Sequence, residues 1–527
     1  MFKSLKRRIT RSLKKQIADS SQEYYDIVII GSGFGGGTLA ARLAEANVSN
    51  PQFQARKIIV LERGRQWHKN GNKLPLFGEK NFFWSKLSFS KRYNTGLNDM
   101  RQFPQVQALC ASGVDGGRNV YAGVIVPPRE GHFNAICPSD LNLELLKPYA
   151  KKAEQFLMPV PVETLLNDPT FADEKDSSIE NWSTMHEIAK EIDATCKPCR
   201  VSAVAGKIHP NLPSYMDYAT ENGIELRSLH LVTKIEELNN ELLQVSFLKL
   251  SQDGDVLSKG TITCRNLIVS AGSINTTELM LRNRQYLPKC TSRDNIGLRS
   301  SLNGNLLAGA LKSKDPMPFR SNNITAGSGP EITAIIDMNG VIIEDYKKPE
   351  HFAKALGKTS LSQFICFIKA CLGIRPSQAE LAKANQDLLL FVGVGEDSGK
   401  GQMYINFLGN LSMKWPGGVL NDPAIKRLIN VMKLISTKLG RTFVLSPLSL
   451  FGKVFTYHPL GGCTMGDHPA TSVVNSYGEL WGYEGRIILA DGSVVPGALG
   501  SNPVWTITAL AERIAEHFIQ KLTAKES

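Results

Sequence analysis

Two polar residues near the carboxyl end stand in turns of unusual composition. His458 lies in Tyr457-His458-Pro459-Leu460-Gly461-Gly462-Cys463, and Asn502 lies in Gly500-Ser501-Asn502-Pro503. An imidazole with a pKa near neutrality can accept a proton from a hydroxyl group or orient its oxygen. An amide can donate a hydrogen bond to the same oxygen and hold it in place. Taken alone, a histidine beside a proline serves structure as readily as chemistry. The two residues are 44 positions apart, so only the fold can bring them together. A helical pattern over 506–512 puts a helix N-terminus just after Asn502, an end that favours negative charge. The Cys463 thiol, five positions after His458, reads as a buried small apolar residue of the turn and not as a nucleophile.

The amino-terminal end carries a second kind of site. Asp26-Ile27-Val28-Ile29-Ile30 is a short β-branched run, followed at once by Gly31-Ser32-Gly33-Phe34-Gly35-Gly36-Gly37. Leu39, Ala40, Leu43 and Ala44 then show helical spacing, and Ile58-Ile59-Val60-Leu61 is a second apolar strand ending in Glu62-Arg63-Gly64. Strand, glycine turn, helix, strand and acid in this order form the first unit of a dinucleotide-binding fold. Gly31 permits the tight turn, Gly33 lets backbone approach a pyrophosphate, and Gly36 lets helix and strand pack closely. The phosphates sit at the helix N-terminus, and Glu62 accepts from a ribose hydroxyl.

The elements between these ends are plainer. Residues 225–235, 243–250, 266–270 and 486–490 read as strands, with a helix beginning at Thr277. Ala271-Gly272 and Asp491-Gly492 close two of these strands, and 112–117 is a second glycine loop containing Gly113, Gly116 and Gly117. Residues 333–343 and 388–395 read as strands of a different domain. Residues 65–105 read as irregular cover. The apolar stretch at 352–374 suits a pocket wall, a lid or an ordinary core helix.

The chain has 527 residues, 42% hydrophobic and 21% charged, the balance of a folded protein with a large core. No run of roughly 18 apolar residues suggests a membrane-spanning helix. The net charge of +12 is local: seven basic residues and no acid fall in 1–17, leaving 54 basic against 49 acidic in the rest. That argues against a nucleic-acid-binding body. Phe2, Leu5, Ile9, Leu13 and Ile17 form one apolar stripe if the tail is helical, with the cations elsewhere. Such a helix suits a membrane surface, though a solvated basic tail or a targeting sequence fits the same residues. Nine scattered cysteines suit reduced thiols in a cytoplasmic protein, peripheral at a membrane through the tail. Cys196-Lys197-Pro198-Cys199 reads as structural, with a redox pair or shared metal site as the alternative. No set of residues has metal-site spacing.

Together GSGFGGGTLAARL, LERG, SGVDGG, IVSAGSINTTELML, YHPLGGCTMG and ILADGSVVPGALGSNPVWTITALAERI resemble the glucose–methanol–choline (GMC) oxidoreductases, and within them the FAD-dependent cholesterol oxidases. The resemblance spans about residues 24–520 and is strongest at the two ends. It implies an α/β protein with a discontinuous Rossmann-like FAD-binding domain, at 20–128, 225–300 and 455–524. A mixed-sheet substrate domain is implied at 129–224 and 301–454, and a tail at 1–19. It implies that Gly31, Gly33, Phe34, Gly35 and Gly36 hold the FAD pyrophosphate and Glu62 the ribose. Val232 meets the adenine; Gly113, Gly116 and Gly117 run past the flavin; Ala271, Gly272, Asp491, Gly492, Asn502 and Pro503 complete the cofactor set. His458, Asn502 and Glu344 become the catalytic residues, Glu344 as the carboxylate that moves a proton during double-bond isomerisation. The implied partners are a lipophilic alcohol, a sterol first, and oxygen or another electron acceptor. A same-fold dehydrogenase using a quinone or protein acceptor, another lipid-modifying activity of the family, and a non-catalytic flavoprotein are the rival readings. Asp115, Arg118 and Tyr121 depart from the family pattern and leave acceptor and substrate open.

Overall fold

The computed structural model describes residues 23–67 save 54, then 81, 83–84, 95–162, 164, 184–204, 207–208, 214–238, 241–312, 332, 334–338, 340–346, 388–446, 449 and 452–524. The basic tail at 1–17 and the apolar stretch at 352–374 lie outside the described residues.

The β-branched run becomes the strand Glu23–Ile30, with Ile27, Val28 and Ile29 fully buried. A strand apolar on both faces belongs in the middle of a parallel sheet. Here it pairs in parallel with Ile58–Leu61 on one side and with Val256–Val269 on the other. Glu225–Arg227 extends the sheet in parallel beyond Ile58–Leu61, and Ile487–Leu489 pairs in parallel with Val256–Val269. Leu243–Leu250 and His230–Glu237 add an antiparallel edge. The helices Phe34–Ser49 and Val504–Ala524 share a core with this sheet through Leu39, Leu43, Ala511, Ile514 and Phe518. A buried Arg42–Glu512 pair joins the two helices, Nε to Oε2 at 2.6 Å and Nη2 to Oε1 at 2.9 Å. The carboxyl end of the chain is thereby packed onto its amino-terminal nucleotide-fold unit.

A six-stranded sheet forms the other layer, in the order Arg441–Leu445, Leu306–Lys312, Leu388–Gly395, Val341–Tyr346, Ala334–Met338, Thr195–Pro198. A mixed sheet was the expectation; every pairing among these strands is antiparallel. The reason is local. Ala334–Met338 and Val341–Tyr346 form a hairpin through Gly340, whose φ is +82°. A parallel pair would need a crossover of a dozen residues. The helix Pro423–Lys438 covers this sheet, with Leu428 and Met432 pressed so close over Gly393 that a Cβ there would lie 2.6 Å from Leu428 Cδ2.

Two boundaries also differ from the sequence reading. The helix expected from Thr277 begins at Ser273, directly after the Gly272 turn. The segment read as irregular cover contains the strand Asn98–Gln102, paired antiparallel with Val106–Ala111.

Candidate active site

One cavity of about 590 Å³ runs between the two layers. The glycine turn enters it first. Gly31 has φ +94°, and a Cβ there would lie 2.2 Å from the Ser270 carbonyl oxygen, so both conformation and space demand glycine. Gly33 is the N-cap of the 34–49 helix and has no side chain with which to cap the first-turn N–H groups. No acidic side chain lies in that turn either. An uncapped helix end at a cavity is a binding site for an anion such as a pyrophosphate.

Gly31, Gly33, Phe34 and Gly35 all line the cavity, as do Gly116 and Gly117 of the second glycine loop. Gly36 and Gly113 do not line it, although the resemblance places both in the cofactor set. A Cβ on Gly36 would lie 2.2 Å from the Gly31 carbonyl oxygen, so its role is close helix–strand packing. Gly113 has φ +143° and backs onto Trp67, with Nε1 2.3 Å from a Cβ built there. It holds the loop in place from behind.

Glu62 lines the cavity at the end of its strand. Its carboxylate accepts from Gly64 N at 2.8 Å, Ser32 Oγ at 2.8 Å and Ser32 N at 3.3 Å. These bonds fix both oxygens and leave acceptor capacity toward a ribose. Val232 shares this end of the set. Arg101 and Cys110, which carried no expectation, line the cavity too. Arg101 is held by Asp99 and Glu278, each at 2.9 Å. Its position could be found only through long-range pairing.

Ala271, Gly272, Asp491 and Gly492 also reach the cavity. Asp491 ties two turns together, accepting from Gly272 N at 2.8 Å, Thr276 Oγ1 at 2.5 Å and Ser493 N at 2.8 Å. Burial raises its pKa, and the same hydrogen bonds oppose that rise.

His458, Asn502, Pro503 and Glu344 line the same cavity. The fold thus closes the 44-residue gap between the two turns and adds a carboxylate from the antiparallel sheet. His458 follows Thr456, whose Oγ1 accepts from His458 N at 3.0 Å. Asn305 anchors the preceding residues, its Oδ1 accepting from Tyr457 N at 2.9 Å and from Thr456 Oγ1 at 3.1 Å. The imidazole itself has no partner at Nδ1, and burial lowers its pKa to about 4. It is therefore neutral at ordinary pH and ready to accept a proton. Asn502 Oδ1 is likewise buried without a partner.

Glu344 is fully buried, and burial raises its pKa to about 8. The neighbouring Asn502 amide pulls the other way, though neither carboxylate oxygen reaches a partner in hydrogen-bond geometry. A carboxyl group kept protonated at pH 7 beside an amide, in a cavity also lined by a neutral imidazole, is the pattern of a proton-handling site. The stability of the chain should record it. As pH rises from about 4.5 to 8 the unfolded chain releases this proton while the folded chain keeps it, costing roughly 1.4 kcal/mol per pH unit. Glu344→Gln has no such proton. In thermal melts with excess FAD, its Tm relative to the parent is expected to climb between pH 5 and 8 and level off above. A difference that stays constant over that range contradicts the assignment.

Phe34 and Tyr121 meet edge to face inside the cavity, with ring centroids 5.3 Å apart. Asp115 takes φ +71° and its carboxylate accepts from Ser214 Oγ, the N-cap of the helix Tyr215–Glu221. The departure from glycine is thus used to tie the loop to a helix end. Cys463 is buried, its Sγ 3.8 Å from Thr277 Oγ1, and burial raises its pKa far above the usual thiol range. Cys196 and Cys199 are not joined in a disulfide, and no metal-holding group of three or more side chains occurs among the described residues.

Residues 452–511, which include His458, Asn502 and Asp491, match the family model for GMC oxidoreductases. Over this segment the chain resembles that family. It is 24% identical to a cholesterol oxidase of Acinetobacter baumannii, over 95% of this chain and 96% of the relative. A long-chain-alcohol oxidase of Arabidopsis thaliana is 39% identical over 77 residues, 15% of this chain and 10% of the relative. Among solved structures, a formate oxidase of Aspergillus oryzae, studied for FAD modification, covers 96% of this chain and all of its own at TM-score 0.64 and 13% identity. Pyridoxine 4-oxidase from Mesorbium loti covers 94% of this chain and 99% of its own at TM-score 0.60 and 14% identity. These two likenesses are of fold. The cofactor is FAD, and the reaction is oxidation at a CH–OH group. The residues fit that cofactor: an uncapped helix N-terminus for the pyrophosphate, Glu62 for the ribose, and a second helix beginning at Val504 on the cavity wall.

Proposed function

We propose that this protein is a GMC oxidoreductase that oxidises a lipophilic alcohol, with a sterol such as cholesterol as the first candidate. The observation that carries the reading is the convergence of His458, Asn502 and Glu344 on the cavity that also receives the glycine turn. The full-length similarity to a cholesterol oxidase supports it. So does the apolar cluster of Val124, Ile332 and Val392, three residues that also line the cavity beside Glu344.

In this reading the neutral His458 imidazole takes the hydroxyl proton, and the Asn502 amide holds the alcohol oxygen. FAD, when bound, supplies the acceptor for the hydride leaving the carbinol carbon. Glu344, with its raised pKa, moves a proton between carbons when the product carries a neighbouring double bond. Gly31, Gly33, Phe34, Gly35, Glu62, Gly116, Gly117, Val232, Ala271, Gly272, Asp491, Gly492 and Pro503 hold the cofactor. Residues 1–17 contact a membrane surface on the cytoplasmic side, where a sterol is taken up. The short similarity to a long-chain-alcohol oxidase favours a fatty alcohol as the second substrate candidate.

Anaerobic titration of the holoenzyme separates these readings. Cholesterol is expected to bleach the flavin absorbance, and admitting air is expected to restore it if oxygen is the acceptor. Bleaching by 1-hexadecanol and not by cholesterol would replace the sterol assignment with a fatty alcohol. A flavin that stays oxidised with both removes the substrate class.

A further inference from the structure

The turn that carries Asn502 is held by a residue far from it in sequence. Asn303 is fully buried, does not line the cavity, and makes three hydrogen bonds to that turn. Its Oδ1 accepts from Leu499 N at 2.8 Å and from Gly500 N at 3.1 Å. Its Nδ2 donates to Ser501 O at 2.7 Å. One amide therefore satisfies two donors and one acceptor on the three residues that precede Asn502. Gly500 needs such a clamp, because its φ of +64° breaks any regular local pairing.

Asn303 is itself fixed from the other side. It sits at φ +54°, a conformation asparagine tolerates better than most residues. Its backbone N–H donates to Ser301 Oγ at 2.9 Å. Asp397 accepts from Ser301 Oγ at 3.0 Å, Leu302 N at 2.9 Å and Gly304 N at 2.8 Å, which closes the loop around Asn303. Ser301 and Leu460 exchange backbone hydrogen bonds at 2.8 and 2.9 Å. Two residues further on, Asn305 anchors the backbone before His458. The short loop 301–305 thus grips both functional turns, one through Asn303 and the other through Ser301 and Asn305.

We propose that Asn303 is a positioning residue that sets the Asn502 amide in register with the His458 imidazole. It acts through Asn502 and touches neither substrate nor cofactor. The inference rests on the reading of Asn502 and His458 as catalytic. A shift of about 1 Å in such a group costs on the order of 100-fold in rate, and that is the expected size of the effect.

The test uses the FAD-loaded enzyme with cholesterol as the probe. Asn303→Gly removes the side chain without straining the positive φ. It is expected to lower kcat about 100-fold with KM within about threefold. Asn303→Asp keeps the two accepting bonds and loses the donor to Ser501, and is expected to lose only about tenfold. Hydrogen exchange reads the clamp without turnover. The Leu499 and Gly500 amides should lose protection in Asn303→Gly and keep it in Asn303→Asp, with peptides of the parallel sheet unchanged. Added to Asn502→Ala, either Asn303 substitution should cost less than about threefold more, because both act through one amide.

Full additivity with Asn502→Ala would show a general structural role and overturn the proposal. Unchanged kcat in Asn303→Gly, with Asn502→Ala impaired, would overturn this inference alone. Unchanged kcat in Asn502→Ala would overturn the underlying reading and the proposal with it. Should Asn303→Gly fail to load FAD, Asn303→Asp carries the same double-mutant comparison.

Discussion

His458→Ala is expected to lower kcat by about 10³-fold while the protein still folds and binds FAD. The size follows from what a positioned general base contributes, about 10²- to 10⁴-fold. The expected retention of fold follows from the hydrogen bonds. The turn is held by the backbone N–H of His458 on Thr456 Oγ1 and by the Asn305 side chain, none of which involves the imidazole. The ring's own Nδ1 is without a partner, so its removal breaks no bond at that atom. A pH profile adds a second expectation. Burial holds the imidazole pKa near 4, so the basic form persists through neutral pH and kcat/KM should fall only as pH approaches about 4. Rapid-reaction measurement of flavin reduction by cholesterol checks both. A His458→Ala enzyme within tenfold of its parent would remove the histidine from the chemistry.

Only some parts of this molecule can be read from residues in order. The strand–turn–helix–strand at 23–61 is legible because its parts are adjacent, and each glycine answers to a neighbour within reach. The turn role of Gly31 and the packing role of Gly36 are explained by the Ser270 and Gly31 carbonyls, while the pyrophosphate role that the resemblance implies for Gly36 has no support in the cavity lining. Gly113 misled because a glycine that makes room for Trp67 looks, in sequence, like one that makes room for a ligand. The antiparallel sheet was missed in kind because its hairpins depend on single turn residues such as Gly340, with no periodic signal to separate them from a crossover.

The supports of the site were not legible at all. Asn303 and Asn305 act on residues about 150 to 200 positions away, and Asp397 closes their loop from about 95 positions away. Nothing in Leu302-Asn303-Gly304-Asn305 distinguishes it from an ordinary polar turn. The chemistry-bearing residues announce themselves by type and by flanking glycine and proline. The residues that aim them are ordinary amides whose meaning lies entirely in long-range geometry.

Gly35→Ala gives the sharpest test of the cofactor half of the site, because two effects oppose each other and one must win. Helix propensity favours alanine over glycine by about 1 kcal/mol, which alone predicts a slightly stabilised 34–49 helix. Packing says the reverse. A Cβ on Gly35 would stand 1.6 Å from the Ala490 carbonyl oxygen and 2.8 Å from Ser270 Oγ. Neither neighbour can retreat easily. Ser270 N donates to Ile30 O at 2.8 Å, Ala490 N donates to Val269 O at 3.2 Å, and Ser270 Oγ donates to Ala490 O at 2.9 Å. Overpacking of a rigid contact costs on the order of 1–3 kcal/mol or more, and backbone on backbone lies at the upper end. The helix must therefore lift from the strand ends, carrying its uncapped N-terminus away from the pyrophosphate position. Gly35→Ala is expected to be purified largely without FAD and to bind it at least about 100-fold more weakly, a loss of about 2.7 kcal/mol. Gly131→Ala, also in a helix but with nothing within 4 Å of its Cβ, should load FAD like the parent. Flavin absorbance per protein and a fluorescence titration of FAD compare the three. If Gly35→Ala binds FAD as tightly as Gly131→Ala, the helix N-terminus does not hold the cofactor and the placement of the pyrophosphate at this turn is wrong.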